Sequence, residues 1–425
     1  ESVTLPIRLT SIGNYAFYGS KLLADVLFET GTVALSEIGD YAFAETAINI
    51  FNVPSNVVSI GEGAFAECVS LEAFTFADSA KVEKIGEVAF YGSISLQTIT
   101  LPHSLTSLGV NAFDGCSNLV SVSIVDGNAK YVSEDGVLYN AEKTIIEVFP
   151  EGRTAPYTLP SSITEIADNM FQNSKVTGVI LHGDVTSIGD AAFYGATALK
   201  SVVMAEGLTT IGEEAFYGSG VEELTIPSTV SSIGEYAFSM MPALTKAVFL
   251  DKADGTPGAL EVLTGRAFQA YDMDMPTFES RLKEIVFPSG LKEIGQSALQ
   301  STALEKVVFP STLTKVGNNA FQYCESLTLV DFGENKVLES IGQRAFNQSG
   351  SATADEAIVK LPVGSPDGWT MGMFIFQGSN FTEITFAEET TIETFPKAAF
   401  GYSLRLSSFT IPESVTSIAD GSAVS

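Results

Sequence analysis

The sequence predicts a right-handed solenoid of α/β class, dominated by β-structure, in which short units stack one on the next. Three observations predict it. The phrase I-G-x-x-A-F recurs from Ile12–Phe17 almost to the end of the chain, most often at spacings of 22 to 25 residues; that is a repeat period, not the plan of a domain built around one site. Many copies follow a Thr-rich, β-branched stretch that closes on Pro, as at Leu101-Pro102 and Ile226-Pro227, the signature of a short strand. Phe is abundant at 29 and Trp nearly absent at 1, as expected if one position of every unit is filled by Phe.

One full unit runs Leu96-Gln97-Thr98-Ile99-Thr100-Leu101-Pro102, then His103 to Gly109, then Val110-Asn111-Ala112-Phe113-Asp114-Gly115-Cys116. The L-x-x-I-x-L stretch reads as a strand of a parallel sheet, ended by a Pro that cannot donate to a ladder. Leu105 and Leu108 form a second apolar pair that turns back to the core as a short second strand. Gly109 permits the bend. The A-F-x-x-small stretch reads as a single helical turn whose Ala and Phe point inward, with a small residue such as Ser20, Thr46, Cys68, Ser93 or Cys116 packed beside the next rung. One unit cannot bury its apolar face, so stacking must do it. The ladder that results is Phe17, Phe43, Phe65, Phe90, Phe113, Phe171, Phe193, Phe216, Phe238, Phe268, Phe321, Phe346, Phe376 and Phe400, with Leu299 in the Phe position after Ile294-Gly295.

We read residues 1–425 as a single solenoid of about sixteen units. It has a β-hairpin insert near 125–155, centred on Asn140–Lys143 within Tyr131–Pro150. Irregular insertions lie near 251–280 and 347–375. The chain opens inside a unit and Ile418-Ala419 is not followed by an A-F. Both ends therefore read as open, and since solenoids need polar caps, either the chain was trimmed or something else covers the ends.

I-G-x-x-A-F-x-x-C-x-x-L-x-x-I-x-I-P-x-S-V-T-S-I-G resembles the BspA-type leucine-rich repeat of bacterial surface proteins. The clearest copies are Ile60–Phe76, Leu96–Cys116, Ile211–Pro227 and Ile411–Ile418. Asp135-Gly136-Val137-Leu138-Tyr139 looks like an insert common in that family. The resemblance covers nearly the whole chain. It implies a leucine-rich-repeat-like solenoid and a secreted or surface-anchored, adhesion-type protein whose partner is a host or matrix protein. It supplies no catalytic residues. The location it implies is extracellular or cell-surface; no leader is legible, but Glu1 is not an initiator Met and a signal peptide is expected to have been removed.

Composition narrows the partners. A net charge of −29 and a pI near 4.3 argue against nucleic acid and anionic membranes; they suit a solvated acidic surface or one that prefers basic partners. No apolar run approaches the ~20 residues of a membrane span, so no membrane insertion is expected within this chain. Cys68, Cys116 and Cys324 share one register of the repeat. At roughly 4.8 Å per rung, Cys68 and Cys116 lie about 10 Å apart, too far for a bridge, and all three read as small buried thiols.

The sequence carries no recognisable catalytic arrangement. His103 and His182 fall in or beside turns, with no nucleophile or carboxylate in a recognisable arrangement. There is no G-x-S-x-G, H-E-x-x-H or phosphate-cradling glycine loop. Asp272-Met273-Asp274 is a fragment of a calcium-type loop lacking its other ligands, and reads as an acidic loop. We therefore expect no enzyme, cofactor or metal.

The candidate site lies on the strands. In L-x-x-I-x-L the residue before the last apolar one points outward. Through the middle of the chain this position reads Ile180, Val203, Thr225, Val248, Val286 and Val308, mostly apolar, while toward the ends it is polar. Such a stripe can be a partner-binding face; strand propensity alone also produces it. Glu222, Glu223, Lys283, Glu284, Glu305 and Lys306 border it. A second reading is a glycan-binding accessory protein, with Tyr18, Tyr91, Tyr194 and Tyr217, which follow the repeat Phe, stacking on sugars; rim packing beside the turn is the plainer role for these rings. A third is a structural spacer for another domain.

Overall fold

A computed structural model describes residues 1–271, 278–407 and 409–421. It separates into two compact units, one of residues 1–163 with 170–177, the other of residues 164–169 with 178–425. Each is a stack of rungs with parallel strands on two sides, and we describe each by itself.

In the first unit the longer strands Ser2–Leu5, Asp25–Phe28, Ile50–Val53 and Ala73–Phe76 form one parallel sheet, and Thr98–Leu101 pairs in parallel with Ser121–Ile124. Opposite them run two-residue strands whose apolar members align rung by rung: Ile12, Ile38, Ile60, Ile85 and Leu108. In the second unit the longer strands from Glu223–Ile226 to Glu383–Phe386 make a seven-stranded parallel sheet, and Gly178–Ile180 pairs with Ser201–Val203. Two-residue strands again follow behind, as in Ser187–Ile188, Thr210–Ile211 and Ser232–Ile233.

Between the layers lies the Phe ladder. Phe17, Phe43, Phe65, Phe90 and Phe113 stack at 5.1–5.9 Å between ring centroids. Phe193, Phe216, Phe238 and Phe268 stack at 4.8–5.6 Å, and Phe321, Phe346, Phe376 and Phe400 at 5.1–5.8 Å. Leu299 occupies the break between the last two series and is fully buried. Phe171 packs edge-on against Phe149 at 4.6 Å. Burying each ring stabilises by roughly 1.5–3 kcal/mol.

The helical turns are not there: the described residues contain no helix. In the rung after Ile211, Glu214 and Gly218 are left-handed, with φ of 53° and 65°. Tyr217 N–H closes a turn on Glu214 C=O and Ser219 N–H on Phe216 C=O. The alternate donors, on Glu214, Phe216 and Gly218, reach the carbonyls of Glu235, Ala237 and Ser239 in the next rung. An α-helix would need every N–H directed back along its own segment. Here half the donors join rungs together, making a hydrogen-bonded ribbon on the turn side as well. The second x of I-G-x-x-A-F is left-handed in rung after rung, at residues as bulky as Tyr15, Val88, Tyr236 and Arg266. Each such residue costs roughly 1–2 kcal/mol, which the inter-rung bonds offset.

The repeat glycine also has a different job from the one expected. Gly109 is not left-handed; a Cβ there would lie 2.2 Å from Glu87 N and from Gly86 C. Gly61, Gly86, Gly212 and Gly234 are similarly pressed against the rung before. The position needs absence of a side chain, because two backbones touch.

The insertion before Phe171 is an antiparallel meander of three strands, Tyr131–Glu134, Val137–Asn140 and Ile146–Val148. The connection at 141–145 falls where the hairpin was read, and a tighter one at Asp135-Gly136 precedes it. Tyr139 and Tyr157 share a hydroxyl hydrogen bond of 2.7 Å at its base.

Candidate partner-binding face

The strand register brings the candidate residues of the second unit into columns. Ile180 pairs with Val203, and Thr225, Val248 and Val286 are successive partners across the seven-stranded sheet. Val308 is next in the same position of its strand, and pairs onward with Asp331. Alternation sends their neighbours Val179, Val202, Leu224, Ala247, Ile285 and Val307 into the core and leaves these residues outside. Ile180, Val203, Val286 and Val308 are 45, 53, 43 and 60% exposed. Thr225 is exposed and Val248 half-buried.

Charge lies in columns beside this stripe. Glu223, Lys246, Glu284 and Lys306 are register partners of alternating sign. Lys246 meets Glu284 at 2.7 Å and Lys283 meets Glu305 at 3.0 Å. The hydrogen bond to Glu284 holds the Lys246 ammonium above its usual pKa. Such exposed pairs are screened by solvent and add little to stability, so they define a mixed-charge border more than they hold the fold. Toward the ends the outward column becomes polar and bonds to itself: Thr100 with Ser123 at 2.9 Å in the first unit, and Lys360 with Asp331 at 3.1 Å in the second.

The tyrosines fall in two clusters. In the first unit Tyr15 stacks on Tyr41 at 5.4 Å, beside Tyr18 and Tyr91. Tyr18 and Tyr41 donate their hydroxyls to Glu45 and Glu62, which raises both phenol pKa values. In the second unit Tyr194 stacks on Tyr217 at 5.1 Å with planes 7° apart. That pair edges a cavity of about 440 Å³ that also touches Glu214, Tyr236, Ser239, Arg266 and Gln269.

The thiols of Cys68, Cys116 and Cys324 are buried and free. Burial pushes all three up, Cys324 to about 11. Each is also a hydrogen-bond donor, to the carbonyl of Phe43, Phe90 or Leu299 in the preceding rung at 3.1 Å. Ser93, Ser349 and Ser403 do the same at this position. The small-residue column is thus a polar ladder, which size alone did not suggest.

Sequence reasoning also missed an amide ladder at the residue after the repeat Phe. Gln269 donates to Gln300 at 3.1 Å, Gln300 to Gln322 at 3.3 Å, and Gln322 to Asn347 at 2.9 Å. Asn347 then donates to the Gln377 carbonyl at 2.7 Å. All four side chains are buried. The signal was present as an amide in the same register of successive units.

His103 Nδ1 lies 3.2 Å from the Asp126 carbonyl, and His182 Nδ1 is 3.7 Å from Asp184. Among the described residues no group of three or more His, Cys, Asp or Glu could hold a metal ion, and no helix is long and apolar enough to cross a membrane. The acidic loop Asp272-Met273-Asp274 lies outside the described residues.

Two faces of parallel strands, a one-residue-per-rung aromatic core and a repeat of about 23 residues define a leucine-rich-repeat solenoid of parallel β-strands. The matching family is the BspA type leucine-rich repeat region, in six copies, at residues 1–120, 36–146, 147–245, 274–355 and 368–423. The chain belongs to that family. No catalytic family is indicated. Among solved structures, the chain is similar to the pneumococcal vaccine antigen PcpA, at 26% identity and a TM-score of 0.55, over 74% of this chain and 73% of that one. It is also similar in fold to a leucine-rich repeat protein from Bacteroides ovatus, at 23% identity and a TM-score of 0.51, over 85% and 87%. No curated protein sequence matches.

Proposed function

We propose that this is a non-catalytic, secreted or cell-surface binding protein of adhesion type, and that it docks a host or matrix protein on the outward stripe of the second unit. The observation that carries the reading is the register of Ile180 with Val203 and of Thr225, Val248 and Val286, which sets exposed β-branched side chains in columns. Isolated apolar residues on a surface are ordinary, whereas contiguous ones rimmed by charge favour an interface. The alternating Lys and Glu columns give that rim both signs, which suits a protein surface better than a polyanion. Membership of the BspA-type family, and similarity to a pneumococcal antigen, support a surface location.

The test is a double substitution, Val203→Arg with Val308→Arg. Both side chains are more than half exposed, so folding should survive. The purified chain is passed over immobilised extracellular-matrix proteins, and the variant's response is compared with that of the parent. Loss of binding with an unchanged melting temperature supports the docking face. A variant that folds and binds as the parent does removes it.

A further inference from the structure

We propose that the cavity beside Tyr217 is a saccharide subsite that takes one neutral pyranose ring. The inference is independent of the docking stripe. It starts from the column of residues that follow the repeat Phe. That column reads Tyr194, Tyr217, Ser239, Gln269, Gln300 and Gln322. Two stacked aromatic rings lead into it, a buried amide ladder leads out, and between them stands the short, fully buried Ser239. A cavity opens beside that step, lined by Tyr217 and Gln269 together with Tyr236, Met240, Arg266 and Tyr271.

The amide ladder has a direction, and the direction prepares the slot. Asn347 faces a backbone carbonyl at the far end, and a carbonyl only accepts. Asn347 must therefore turn its NH₂ that way and its Oδ1 back toward Gln322, which fixes Gln322, then Gln300, then Gln269 in the same sense. Every side-chain oxygen in the ladder faces the preceding rung. For Gln300, Gln322 and Asn347 that oxygen accepts from the amide before it. For Gln269 there is no amide before it, and its Oε1 is a buried acceptor without a partner. Gln269 is 9% exposed. Ser239 does not satisfy it, because its hydroxyl donates to the Arg266 carbonyl at 2.7 Å.

A ligand that suits this step needs a flat apolar face for Tyr217 and a donor on its edge for Gln269. It must also tolerate Glu214 and the Arg266–Glu235 pair, held at 3.2 Å with Arg266 over the Tyr236 ring. A hydroxylated pyranose meets all three requirements: C–H groups on one face, O–H donors around the rim, no charge. An anion would meet Glu214 and the lone pairs of Oε1. A purely apolar ring would leave the buried acceptor unsatisfied, which is costly.

Saturation-transfer NMR with neutral trisaccharides (maltotriose, cellotriose, triacetylchitotriose and mannotriose) tests it on the full chain. The parent protein should receive transfer from at least one of them. Ser239→Tyr places in the slot the residue found at this position in neighbouring rungs, and should abolish the signal with folding intact. Tyr217→Ala should weaken binding by about tenfold, and Tyr402→Ala, at an exposed ring that does not line the cavity, should leave it unchanged. No transfer from any of the four sugars to the parent, or an undiminished signal in either Ser239→Tyr or Tyr217→Ala, overturns the proposal. The Val203→Arg/Val308→Arg protein should still respond to the sugar while losing its matrix partner, so failure of either site is read separately.

Discussion

Replacing Gln322 by Leu is a sharp test of the amide ladder. The side chain accepts from Gln300 at 3.3 Å and donates to Asn347 at 2.9 Å, and the three residues are 9, 8 and 4% exposed. Leu has similar bulk and removes both bonds at once. It strands the Gln300 NH₂ and the Asn347 Oδ1 in a buried setting, at about 1–3 kcal/mol each. Burying an apolar side chain in place of the amide returns about 1–2 kcal/mol. Taking the middle of each range, the net expectation is a loss of about 2–3 kcal/mol. The assay is urea unfolding followed by fluorescence of Trp369, which is buried in the same unit and is the protein's single Trp. With a slope of about 2.5 kcal/mol per molar, the midpoint should fall by roughly 0.5–1.5 M. Converting Gln269, Gln300, Gln322 and Asn347 together to Leu leaves no stranded amide, and Gln377 C=O keeps its bond from Gln348 N–H. The fourfold variant should therefore be closer to the parent than the single one. An unmoved midpoint for Gln322→Leu, or a fourfold variant weaker than the single, would refute the reasoning.

Further outcomes follow from the same contacts. Phe216→Ala removes a fully buried ring stacked between Phe193 and Phe238, and should cost about 3–5 kcal/mol in the same unfolding measurement. Gly109→Ala forces a Cβ against the backbone of Gly86 and Glu87 and should destabilise the first unit by about 1–3 kcal/mol, seen as faster hydrogen exchange of the neighbouring rungs. Burial raises the carboxyl pKa values of Asp114, Glu147 and Glu151 in that unit. Between the ordinary carboxylate value of about 4 and those raised values, the native state holds more protons than the unfolded chain. Their contribution to stability therefore grows as pH falls through that window and is lost as pH rises through it. Glu151→Gln should flatten the pH dependence of the melting temperature. The thiols, held protonated by burial with Cys324 at about 11, should resist iodoacetamide in mildly alkaline buffer until denaturant is added.

The stack was legible because its cause is periodic: Ile, Gly, Ala and Phe recur in one register, and the period names the architecture. The turn side was not legible, for a physical reason. A-F-x-x-small has the spacing of a helical turn, and left-handed residues normally announce themselves as Gly or Asn. Here they are Tyr15, Val88, Glu214 and Arg266, imposed by bonds to the next rung that no local pattern encodes. The outward strand positions followed from alternation alone. The cavity beside Ser239 did not, because its lining comes together only across rungs, from Tyr217 to Gln269.

The ribbon of alternate donors on the turn side has a mechanical consequence. Where both sheets are continuous, a rung is fastened to its neighbour along three lines, the long strands, the short strands and the turns, so a pull along those rungs loads all three together. A stack fastened only through its strands could hinge open about them, like a book on its spine. With the turns also tied, opening a gap means breaking bonds on every side of the rung at once, a resistance that strand pairing alone would not give.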